Sequence, residues 1–125
     1  MGKITTFEDL DVWQIGKNLT LKIYEMSGQF KRDEAFGITS QIKGAALSVP
    51  ANIAEGFGRF HFLDKAKFYL NARSSLYELK SHLLIAKELG LINDEMANSV
   101  FQEIDRLSLK LNNLISKTRS MKEGR

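Results

Sequence analysis

The sequence predicts an all-α protein folded as an antiparallel up-down four-helix bundle, and three observations carry that reading. Apolar residues recur at helical spacing along most of the chain. A single proline stands in 125 residues, so long uninterrupted helices are allowed. The turn signals are few and far apart, no β-hairpin signature competes with them, and short connections between amphipathic helices favour antiparallel neighbours.

The first helix is expected at about 9–28, stopping at Gly28. Val12, Ile15, Leu19, Ile23 and Met26, with Phe30 trailing, form a core stripe. A second stripe, Leu10, Trp13, Leu21 and Tyr24, lies nearly opposite. A surface helix normally shows one apolar stripe, so two stripes imply two partners, and these four residues are the candidate oligomer interface.

Residues 29–34 read as a charged turn, and the second helix as about 36–56 through Ile42, Ala45, Ala46, Val49, Ile53 and Ala54. Pro50 removes the backbone bond to Ala46, which predicts a kink or a break there. Gly56-Phe57-Gly58-Arg59 ends the helix.

The third helix, about 63–89 with Gly90 as its stop, is the longest, and Asp64 suits its first turn. Phe68, Ala72, Leu76, Leu79, Leu83 and Ala86 make one apolar flank; Leu63, Ala66, Leu70, Tyr77 and Leu84 make another. Between them run Arg73, Lys80 and Lys87, seven apart and so nearly in line. Asn93 is a good N-cap for the fourth helix, about 94–118, whose stripe is Met96, Val100, Ile104, Leu107, Leu111, Leu114 and Thr118, widened by Phe101 and Ile115. A basic tail, 117–125, follows and is expected to fray.

At this length the chain is one domain, 1–125, with an ordinary apolar share of 43% and charged share of 26%. No apolar run approaches the roughly 18 residues of a membrane span. The first residues lack the apolar stretch of a secretion signal, and Gly2 with Thr6 matches a myristoylation pattern only weakly. Absence of cysteine rules out disulfides, thiol nucleophiles and thiolate metal sites, and a cytoplasmic setting is the default expectation. The net charge of +3 is mild, so any polyanion binding depends on clustering of the positive side chains.

The first and third helices carry more apolar surface than one bundle core uses, and self-association is the simplest way to cover it. Two stretches then point to a family. Phe36-Gly37-Ile38-Thr39-Ser40-Gln41-Ile42-Lys43 leads into Ser48-Val49-Pro50-Ala51-Asn52-Ile53-Ala54-Glu55-Gly56, and further on stands Ala72-Arg73-Ser74-Ser75-Leu76-Tyr77-Glu78-Leu79. With the opening Asp9-Leu10-Asp11-Val12-Trp13-Gln14, they resemble the four-helix proteins encoded in intervening sequences of bacterial 23S rRNA genes. Where many relatives have glycine, this chain has Ser74, a small residue for a small one. The resemblance implies an up-down bundle assembled as a homopentamer around a central channel. It implies no enzymatic activity. A relative, the accessory variability determinant of diversity-generating retroelements, works with a reverse transcriptase and binds nucleic acid through basic surface.

Catalysis has no foothold in the residues themselves. Glu78 and His82, four apart, could touch one ion, but the di-iron carboxylate pattern needs more ligands at other spacing. No serine elbow is present, Gly56-Phe57-Gly58 is not a phosphate loop, and Arg73 and His82 lie on opposite sides of one helix, the wrong geometry for a ribonuclease pair. No cofactor is expected. Asn52, Glu55, Arg73 and Glu78 read as a polar network fixing helix register, with ligand binding as the alternative. Arg73, Lys80, Lys87, Lys117 and Arg119 are the candidate nucleic-acid contacts, with Lys122 and Arg125 as additions. The bland alternative is a solvated stripe whose alkyl stems cover apolar neighbours. Trp13, Tyr24, Tyr69 and Tyr77 could stack on bases, although rings at helical spacing more often pack in cores. The leading expectation is a non-enzymatic oligomeric scaffold that contacts RNA or DNA; the rival is a protein-interaction module with no nucleic acid.

Overall fold

The computed structural model describes residues 3–30 and 36–121. A 3₁₀ turn, Phe7–Asp9, precedes four helices: α1 (Asp11–Ser27), α2 (Phe36–Phe57), α3 (Phe62–Glu88) and α4 (Asp94–Arg119), with no strand among the described residues. The expected core stripes of α1, α2 and α4 and the first flank of α3 supply the buried residues, whereas Leu63, Tyr77 and Leu84 of the other α3 flank are exposed. Leu19 and Ile23 of α1, Ile42, Val49 and Ile53 of α2, Leu76, Leu79 and Leu83 of α3, and Ile104, Leu107 and Leu111 of α4 fill one core. Cross-contacts keep strict register: Lys110 reaches Asp11 at 3.0 Å near the start of α1, while Lys22 near its end reaches Ser99.

Helix starts follow local chemistry. Asn93 accepts the Met96 amide at 2.8 Å, the expected N-cap of α4. The first helix begins later than the periodicity suggests. Asp9 turns back to accept the Thr5 and Thr6 amides at 2.9 and 3.0 Å, which closes a separate turn and leaves Leu10 extended. Those two amides and the Thr5 hydroxyl hold the Asp9 carboxyl below its ordinary pKa.

Pro50 does not interrupt α2, which runs continuously from Phe36 to Phe57. The reason lies on α1. Proline leaves the Ala46 carbonyl without its helical donor, and the buried Thr20 hydroxyl stands 3.0 Å from that oxygen and 2.8 Å from the Gly16 carbonyl. One proton shared between the two satisfies a carbonyl that burial would otherwise make costly. Gly16, one turn before Thr20, faces Pro50 and Val49 across the seam with room for a methyl, since an added Cβ would lie 3.6 Å from each.

The end of α2 is closed from α3. Gly56 has no room for a side chain, since a Cβ there would fall 2.8 Å from the Tyr69 ring and 3.0 Å from Phe68 Cβ. The Lys65 ammonium donates to the Phe57 carbonyl at 2.6 Å and lies 5.3 Å from the Phe57 ring centroid, so a cation covers the carbonyl end of the helix. Partial burial holds the Lys65 pKa below its ordinary value.

Candidate nucleic-acid interface

The basic line of α3 lies along its seam with α4. Heptad spacing puts Arg73, Lys80 and Lys87 on one edge of the helix, and a matching edge of α4 presents acceptors. Arg73 donates to the Asn112 amide oxygen at 2.8 Å, Lys80 pairs with Asp105 at 3.0 Å, and Lys87 with Asp94 at 3.8 Å. Lys80 and Lys87 thus face carboxylates within the chain. Arg73 faces a neutral amide. All three are half-buried, so water and other anions still reach them.

Lys117 and Arg119 are exposed in the last turn of α4, where a cation also suits the helix dipole. Lys122 and Arg125 lie outside the described residues, as do Gly2, the centre of the 29–34 turn and the end of the 117–125 tail.

The four residues expected to form one polar network do not meet within the chain. Asn52 donates to the Ser48 carbonyl and hydroxyl at 2.9 and 3.0 Å, and Ser48 meets Ser75 of α3 at 2.8 Å. Glu55 pairs with Arg59 at 2.9 Å by the α2–α3 turn. Glu78 meets His82 at 3.2 Å on the α2 side of α3, while Arg73 sits on the α4 side. Arg73 and Glu78 part because residues five apart on an α-helix point in different directions. Side chains of α2 and α3 are linked instead through Ser48 and Ser75, two residues the sequence pattern does not single out.

The second stripe of α1 divides. Leu10 and Trp13 are partly covered, with Trp13 edge-to-face against Phe7 at 5.0 Å between centroids. Leu21 is 63% exposed, and Tyr24 is exposed beneath the Lys43 ammonium, 5.2 Å from its ring centroid. Leu47 of α2 is exposed as well. On α3, Leu63, Tyr77 and Leu84 are exposed at heptad spacing, and Leu109 is exposed on α4. Among the aromatic residues, Tyr69 is buried in the core and out of reach of any base, and burial pushes its phenol pKa up.

Among the described residues no group of three or more His, Cys, Asp or Glu side chains is placed to hold a metal ion. Among the described residues no helix is long and apolar enough to cross a membrane. Comparison with curated proteins gives no match. The family model described as 23S rRNA-intervening sequence protein does match, over residues 8–113, which takes in all four helices except the last turns of α4. With four helices, no strand among the described residues and that match across most of its length, the chain belongs to the 23S rRNA-intervening sequence protein family.

Proposed function

We propose that this protein is a non-enzymatic scaffold or accessory factor, an antiparallel up-down bundle that assembles as a homo-oligomer and contacts RNA or DNA through basic surface without reading sequence. A pentamer is the assembly implied by the resemblance described above, and a protein partner such as a reverse transcriptase is part of the same implication. A cytoplasmic setting suits the cysteine-free composition.

The observation that carries the assembly is apolar exposure on two different sides of one bundle. Leu21, Tyr24 and Leu47 lie on α1 and α2; Leu63, Tyr77, Leu84 and Leu109 lie on α3 and α4. Two unlike patches suit a head-to-tail contact, which closes into a ring when the rotation allows. The antiparallel order is supported by the cross-pairs, in which rising numbers on one helix meet falling numbers on the next. Ring symmetry would repeat Arg73 and its neighbours, and multiplied phosphate contacts give affinity that falls steeply with salt.

Light scattering on the purified protein tests the assembly. A mass several times the 14.2 kDa of one chain is expected, and a compact monomer at high concentration defeats it. Fluorescence anisotropy with labelled oligonucleotides tests the binding: signal at micromolar protein in low salt, lost as salt rises, is expected. The second reading is a protein-interaction module, favoured by the internal pairing of Lys80 and Lys87. An oligomer that binds no oligonucleotide at low salt selects it.

A further inference from the structure

The turn between α2 and α3 displays a ring for which the fold has no use. Phe60 is 84% exposed, the highest value among the large apolar side chains, and Leu63 close by is 72% exposed. The turn holding them is firmly built. Lys65 covers the end of α2, the Arg59 guanidinium lies 4.5 Å over the Phe68 ring and pairs with Glu55 at 2.9 Å, and Phe60 meets His61 edge-to-face at 5.0 Å. A ring presented by a rigid turn loses little freedom when something covers it.

Positive charge gathers at the same end of the bundle. Arg59 and Lys67 are exposed beside the turn. The end of α4 joins them, because the Arg73–Asn112 contact fixes the register of the two helices. One heptad further along that register, Arg119 stands level with Ala66, within a turn of Leu63. The acids at this end are Glu55, engaged by Arg59, Asp64, and, where the start of the chain meets the end of α2, Glu8, Asp9, which accepts the Thr5 and Thr6 amides, and Asp11, engaged by Lys110.

We infer that this end of the bundle is a stacking platform for single-stranded nucleic acid. Phe60 takes an unpaired base on its face, while Arg59, Lys67 and Arg119 contact the phosphates on either side. The inference rests on the nucleic-acid reading above and assigns it a strand type and a site away from the α3–α4 seam. Single strands are favoured over duplexes because stacking on a side chain needs an unpaired base face. They are favoured over an anionic membrane because Phe60 and Leu63 offer little apolar area, and membrane partitioning scales with apolar area.

The test is anisotropy with a labelled oligouridylate of about 20 nucleotides and a duplex of equal length, at several salt concentrations. The oligomer binds the single strand more tightly. Phe60→Ala weakens single-strand binding about tenfold with little change in salt slope, because it removes stacking and spares the phosphate contacts. Phe60→Trp keeps the affinity and adds emission that the oligonucleotide quenches, measured against the parent, in which Trp13 alone emits. Lys67→Glu with Arg119→Glu lowers affinity and flattens the salt slope. Circular dichroism and scattering show that each variant keeps its helices and assembly. Unchanged binding by Phe60→Ala, with loss on replacing Arg73, Lys80 and Lys87, overturns the platform and leaves nucleic-acid binding at the seam. A parent protein that binds no oligonucleotide overturns both readings. Phe60-dependent sedimentation with phosphatidylserine vesicles, without Phe60-dependent oligonucleotide binding, assigns the surface to lipid and overturns the platform alone.

Discussion

The α1–α2 contact and the α3–α4 contact join helices of one bundle by opposite means. Across the first, Gly16 and Thr20 meet Ala46, Val49 and Pro50, all buried, and a hydroxyl satisfies the carbonyl that proline orphaned. Across the second, Arg73, Lys80 and Lys87 reach to Asn112, Asp105 and Asp94 at the half-exposed rim. The second contact has more polar pairs, yet the first has more at stake. Water replaces a broken rim pair at almost no cost, whereas nothing replaces a donor lost from a buried carbonyl.

The α2–α3 contact extends the comparison and should give the largest effect. Gly56→Ala sets a methyl 2.8 Å from the buried Tyr69 ring and should cost about 3 kcal/mol in urea unfolding, the upper part of the range for overpacking. A neutral result would mean that Tyr69 yields more readily than its burial implies. Next comes Thr20→Val, expected to cost about 2 kcal/mol by leaving the Ala46 carbonyl unpaired, while Thr20→Ser should keep most of the stability. Pro50→Ala returns a backbone N–H to that carbonyl, so Thr20→Val should cost clearly less in its presence. A double-mutant cycle reads this coupling, and additivity of the two changes would break the account of the α1–α2 seam.

At the rim, Lys80→Ala combined with Lys87→Ala should cost about 1 kcal/mol or less, shrinking further as salt rises. A loss rivalling that of Thr20→Val would reverse the ranking of the two seams. The smallest shift is expected from Gly16→Ala. Its methyl would meet Pro50 Cβ and Val49 Cγ1 at 3.6 Å, an ordinary contact, so the gain in helix propensity should raise stability by about 0.5 kcal/mol in the same assay. A clear loss would show that the first seam is packed more tightly than those distances indicate.

Much of the fold was legible in the residues. Val12, Ile15, Leu19 and Ile23 became core because apolar side chains at helical spacing bury together whatever their partner is. Leu21 and Tyr24 stayed outside, as a second stripe opposite the first must unless another surface covers it. Leu10 and Trp13 departed from that expectation because Phe7 and the 3₁₀ turn fold over them. The candidate site was less legible. Heptad spacing identified the basic line but not the acids awaiting it, and no periodic signal marked Thr20, Ser48 or Ser75 as the polar links. The Phe60 turn was read only as a helix stop.

The sequence by itself determined helix type, helix ends to within a residue or two, and which stripe of α1, α2 and α4 is buried. Periodicity and capping act within a few residues of one another, so they can be read locally. Only the tertiary structure decided that Thr20 answers Pro50, that Gly56 must remain glycine beside Tyr69, and that Lys80 finds Asp105. Those facts depend on the register between helices distant along the chain, which is set when all the apolar stripes pack at once.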